Sequence, residues 1–142
     1  MHKLILSFFV FLLMTVYSLH ASDSHVMDSS QLIADKIIKS EIPVLVDFWA
    51  QWCAPCRILN PLIEELEKDF KNKAMFIKVN VDINKALAKY FEITKIPEVF
   101  ILSNKTVVRK ISGVQPKEIY VKTLKEVIDS VSSLIPEKPD PI

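Results

Sequence analysis

Val44-Leu45-Val46-Asp47-Phe48-Trp49-Ala50-Gln51-Trp52-Cys53-Ala54-Pro55-Cys56-Arg57 is the stretch on which the reading of this chain turns. Its first seven residues are almost continuously apolar, with branched and aromatic side chains, the pattern of a strand buried on both faces. One carboxylate, Asp47, interrupts the run. Beyond the second cysteine, Ile58, Leu59, Leu62, Ile63, Leu66 and Phe70 recur at helical spacing, with Glu64, Glu65, Glu67 and Lys68 opposite them. Pro61 is expected to kink that helix. Two cysteines therefore stand where a buried strand hands over to a long helix.

That placement bears on chemistry. A thiol attacks as its thiolate, and the unpaired N–H groups at a helix start lower its pKa. Cys53 is expected at this start with some exposure to solvent, and Cys56 one turn on, on the same side and more buried. Attack by Cys53 on a disulfide would form a mixed disulfide, which Cys56 resolves from within bonding distance. Pro55 suits the first helical turn, where no N–H is needed. Two other uses of the pair are weighed against this. A structural zinc site wants four ligands, and the chain has no further cysteine and only His2, His20 and His25. A structural staple gains most from closing a long loop, and this loop is short.

Working outward, residues 31–40 place Leu32, Ile33, Ala34 and Ile37 on one side, a short helix capped by Ser29 or Ser30 and stopped by Pro43. Residues 74–81 read as a second strand, and 84–91 as a short helix with Leu87 and Phe91 inward. Strand, helix, strand implies parallel pairing. Residues 99–102 and 107–111 flank Ser103-Asn104-Lys105-Thr106 as an antiparallel hairpin. Pro116 opens a final helix to Leu134 carrying Ile119, Leu124, Val127, Ile128 and Val131. The fold class is α/β, a mixed central β-sheet flanked by helices on both faces. The single glycine, Gly113, excludes glycine-rich phosphate loops.

With 142 residues, half of them apolar, the chain suits one domain. A formal net charge of +1 marks no footprint for nucleic acid or an anionic membrane, so proteins or small thiols are the expected partners. Residues 1–21 read as a signal peptide, with His2 and Lys3 before an apolar run. Retention of that run as a membrane anchor is the alternative, and Leu19 is a large residue for a cleavage site. Residues 22–30 form a polar lead-in, 31–134 the domain, and 135–142 a disordered proline-rich tail. Export would place the cysteines where disulfides persist.

Five segments, in order and spacing, resemble the thioredoxin family over nearly all of residues 31–134: Val46-Asp47-Phe48-Trp49-Ala50, Trp52-Cys53-Ala54-Pro55-Cys56-Arg57, Lys78-Val79-Asn80-Val81-Asp82, Ile96-Pro97 and Gly113. The resemblance implies a thioredoxin fold and a thiol–disulfide oxidoreductase needing no organic cofactor or metal, since a redox-active Cys53–Cys56 disulfide carries the electrons. It assigns proton transfer to Asp47, faced by Lys78, and client binding to the surface of Trp52, Ala54, Pro55, Ile96, Pro97 and Gly113. Pro97 would be cis, bringing the backbone of Ile96 beside Cys53 to pair with an extended substrate. Trp49 is either core or part of that surface. Gly113 is expected to supply close backbone approach or a bulge.

Three departures stand out. Ala54 replaces the usual glycine, and Glu98 replaces the usual threonine after the proline; a carboxylate there either faces Cys53 or faces solvent. The first family strand is shortened to about His25-Val26-Met27. Ala-Pro between the cysteines and the lack of room for a large helical insertion set the chain apart from the strongly oxidising branch. The expectation is a monomeric reductant of protein disulfides, exported to a bacterial periplasm, with a membrane electron donor. An envelope thiol oxidase or isomerase, and a non-catalytic binding module, are the alternatives.

Overall fold

The structure, a computed structural model, describes residues 29–134. The expected signal peptide at residues 1–21, nearly all of the expected lead-in, the strand expected at about residues 25–27 and the expected disordered tail at 135–142 lie outside the described residues. The elements run α1 (Ser29–Lys39), β1 (Val44–Trp49), α2 (Ala54–Asp69), β2 (Met75–Asn80), α3 (Lys85–Tyr90), β3 (Glu98–Ser103), β4 (Thr106–Ser112) and α4 (Lys117–Leu134). Ser29 and Ser30 lie inside α1 rather than capping it.

The strands order β2-β1-β3-β4. β1 pairs parallel with β2 and antiparallel with β3, and β3 pairs antiparallel with β4. The hairpin between β3 and β4 closes on Asn104 and Lys105, at φ 48° and 66°. Both central residues are left-handed, as in the turn whose twist matches paired strands.

Strand alternation divides the core. Leu45, Val99 and Ile101 pack with Leu59, Ile63 and Leu66 of α2 and with Tyr120, Leu124 and Val127 of α4. Val44, Val46, Phe48, Phe100 and Leu102 turn to the other face, with Ile37 of α1 and Leu87 of α3. There Phe48, Phe91 and Phe100 meet pairwise at centroid distances of 5.1 to 5.6 Å. The sheet is thus covered on both faces, and the carboxyl end of β1 delivers the cysteines to one rim.

Three apolar residues depart from the inward positions that periodicity suggested. Leu32 is 51%, Ile58 68% and Ile119 43% exposed. Each stands one residue before the stripe that does face inward (Ile33 and Ile37; Leu59, Ile63 and Leu66; Tyr120, Leu124 and Val127), hence about 100° around its helix from the core. Tyr120, absent from the expected inward set, is fully buried instead. α2 continues as one helix through Pro61.

Candidate active site

β1 ends at Trp49, and the chain turns so that the Cys53 N–H donates to the Ala50 carbonyl at 3.2 Å. Cys53 then caps α2 in extended conformation, φ −79° and ψ 103°, with Pro55 in the first turn. Its Sγ accepts the N–H of Cys56 at 3.2 Å. A sulfur held at a helix start and already receiving an N–H is where negative charge on Cys53 would be stabilised.

Cys53 and Cys56 are joined as a disulfide, with Cα atoms 5.3 Å apart. The expected difference in exposure between them is not found. Cys53 is 3% and Cys56 5% exposed. In this oxidised state Trp49, Val81 and Ile96 pack around Ala50 and both cysteines, so Cys53 is as fully buried as Cys56.

The residues assigned to a client surface gather around that rim. Trp52 is 67% exposed, and its Nε1 donates to both carboxylate oxygens of Asp82 at 3.2 and 3.3 Å. Ala54 and Pro55 are also exposed. Ile96 packs on the cysteines, Pro97 is buried, and the bond between them is cis. Gly113 donates its N–H to the Pro97 carbonyl at 2.9 Å and accepts the Tyr120 hydroxyl at 3.2 Å. A Cβ on Gly113 would meet nothing within 4 Å, so close approach is not why glycine stands there. Its φ of +71° is, since that region favours glycine.

Asp47 lies on the α2 side of β1, paired in register with Lys78 and Val99. Burial pushes its carboxyl up from 3.8 to about 6, partly offset by the Lys78 charge. Its Oδ1 has no hydrogen-bond partner among the described residues. Lys78 donates to Asn60 Oδ1, approaches Glu64 Oε1 at 3.7 Å and lies 5.8 Å over the Trp49 ring. Its ammonium is thus anchored by α2 and acts on Asp47 through space. Asn60 and Glu64 carried no motif that would have marked them, whereas Asp82 was visible as a landmark without a role.

Glu98 takes neither expected position. It is fully buried, accepts the Ser112 hydroxyl at 2.9 Å and pairs with Lys110 at 3.0 Å. Register explains this: Glu98 pairs with Phe48 and Ser112 across the ladder, on the face that holds Phe100.

Among the described residues, no three His, Cys, Asp or Glu side chains come together as a metal cluster, and no helix is long and apolar enough to cross a membrane. What the rim can do is exchange disulfides. It presents an apolar surface over two linked sulfurs, with a buried acid on the strand behind whose carboxyl is pushed up to about 6.

Comparison with known proteins agrees with this geometry. The family model described as Thioredoxin matches residues 25–126. A thioredoxin of Griffithsia pacifica is 40% identical over 109 residues, covering 77% of this chain and 98% of the relative. One from Rickettsia bellii is 44% identical over 81 residues, 57% of this chain and 75% of the relative. Another, from Chlorobaculum thiosulfatiphilum, is 42% identical over 93 residues, 66% of this chain and 86% of the relative.

Proposed function

The chain belongs to the thioredoxin family and is a thiol–disulfide oxidoreductase; from that premise we propose that it reduces protein disulfides outside the cytoplasm, with electrons delivered by a membrane donor. The observation that carries the chemistry is the Cys53 sulfur at the cap of α2, accepting the Cys56 N–H within bonding reach of the second sulfur.

In the reduced protein the Cys53 thiolate attacks one sulfur of a client disulfide. The client S–S bond breaks, one client sulfur leaves as thiolate, and a Cys53–client disulfide remains. Cys56 then loses its proton, for which the Asp47 carboxylate is the base, and attacks Cys53 Sγ. The second client thiolate leaves, two electrons have passed to the client, and the protein holds the disulfide seen here. With a value of about 6, Asp47 is mostly ionised at neutral pH and able to accept that proton. A client segment in extended form would lie along Trp52 and Ile96, pairing with the backbone beside the cysteines.

Ala54-Pro55 between the cysteines, where the oxidising branch often carries histidine, supports the reducing direction. Equilibration of the domain with a glutathione buffer, followed by thiol alkylation, tests it. The expected potential lies near the thioredoxin value of about −270 mV. A value above about −200 mV would make the protein an oxidant or isomerase, and no exchange at all would leave a binding module.

The apolar run at residues 4–19 behind His2 and Lys3 supports export to the periplasm. Intact mass of the protein recovered from the cell envelope is expected to lack about the first 21 residues. A full-length chain that stays with the membrane would replace secretion by anchoring.

A further inference from the structure

β3 begins at Glu98, directly after Pro97, and β4 ends at Ser112, directly before Gly113. Glu98 and Ser112 are register partners, so the last rung of this ladder lies at the rim that holds the disulfide. End rungs ordinarily open most readily. This one is tied twice beyond its strand pairing. The Gly113 N–H reaches the Pro97 carbonyl at 2.9 Å, and the Ser112 hydroxyl reaches Glu98 Oε1 at 2.9 Å. Lys110 Nζ meets the same oxygen at 3.0 Å while lying 5.1 Å over the Phe100 ring.

A carboxylate with no exposed surface depends on the donors it has. Glu98 Oε2 has none among the described residues, so the contacts at Oε1 are those that compensate its desolvation. Moving β3 away from β4 at this rung would strip them. We propose that Glu98, held by Ser112 and Lys110, is a positioning residue for client binding, fixing the Pro97 and Gly113 backbone segments so that a protein client meets a preset edge.

This rests on the reading that the client lies along Ile96 and Pro97. Glu98 touches no substrate, being buried, so its effect should fall on recognition and not on sulfur chemistry. A protein client uses the rim; a small disulfide needs only the sulfurs. Preorganised backbone spares a client the ordering it would otherwise have to supply.

The test compares dithiothreitol-driven reduction of insulin with the rate of exchange between the reduced protein and oxidised glutathione. Glu98→Ala is expected to raise the KM for insulin about five- to tenfold while leaving the glutathione rate within about twofold. Ser112→Ala, which keeps the Lys110 pair, should show the same split in weaker form. Glu98→Gln, which keeps an acceptor for Ser112, should restore most of the insulin KM; it and Ser112→Ala carry the test if the alanine variant at 98 does not fold. Equal losses on both disulfides, or a lower melting temperature with unchanged kinetics, would overturn the proposal.

Hydrogen exchange tests the underlying reading by itself. In Cys56→Ser protein trapped as a mixed disulfide with a client peptide, the Ile96 amide should become protected. Protection without any Glu98 effect would sink the positioning role alone. An unprotected Ile96 amide would remove the client placement and the positioning role with it.

Discussion

Cys53→Ser is expected to abolish disulfide reduction, by about a thousandfold or more, with little change in the fold. Serine at the cap of α2 still accepts a backbone N–H, so the helix start survives. The hydroxyl, however, does not ionise near neutral pH and cannot form a disulfide. Cys56→Ser gives a different outcome from a residue one turn away. Attack by Cys53 proceeds, resolution does not, and the protein accumulates as mixed disulfides with its clients. Non-reducing electrophoresis with mass spectrometry distinguishes the two. Equal residual turnover in both variants would show that Cys53 is not the attacking sulfur. Unchanged function in the Cys53 variant would point to a protein that binds without exchanging electrons.

Asp47→Ala is expected to change how stability depends on pH by about 3 kcal/mol. The sign follows from the direction of the shift. Folding raises this carboxyl from 3.8 to about 6, so the folded chain holds the proton more tightly than the unfolded one. The stabilising contribution is fully present below 3.8 and is lost as pH rises through 6; above that, an ionised carboxylate sits buried with Oδ1 unpartnered among the described residues. Alanine cannot ionise. Its stability relative to the parent should therefore climb by this amount between pH 3.8 and 7, whatever fixed cost the lost side-chain atoms carry. Urea titrations of the oxidised protein across that range measure it, and parallel curves would refute the assignment. The same variant should slow release of the second client thiol by about a hundredfold at neutral pH, since Cys56 loses its base.

Both residues were legible in the sequence for physical reasons. A cysteine pair between an apolar run and a helical stripe has few other uses, and a lone carboxylate inside an apolar strand is conspicuous because its burial is costly. The element order was legible for the same kind of reason: β1 is apolar on both faces, and α2 carries its stripe at regular spacing. What periodicity could not resolve was a difference of one position. Ile58 and Leu59 are both apolar, and only packing against β1 decides which faces inward. Tyr120 was hidden because its hydroxyl resembles a surface group until Gly113 is found beside it. The surroundings of Cys53 misled the expectation of exposure, because Ile96 and Val81 arrive from segments distant in sequence.

Glu98 shows the limit most clearly. A residue type that is almost never fully buried without a partner was expected at a surface of one kind or another. Its partners, Lys110 and Ser112, are twelve and fourteen positions on and become neighbours only through the register of the hairpin.

β4 has a neighbour on one side only among the described residues, so its other side offers open backbone groups of the kind that recruit foreign strands into aggregates. Arg109 and Lys110 stand on that strand, each about half exposed, and a copy zipping onto it would have to strip water from both. The ladder irregularity at Ile101 and Leu102 further spoils a flat template. Lys110 thereby guards the sheet against self-association while neutralising the acid beneath it, and losing it would weaken solubility and the rim together.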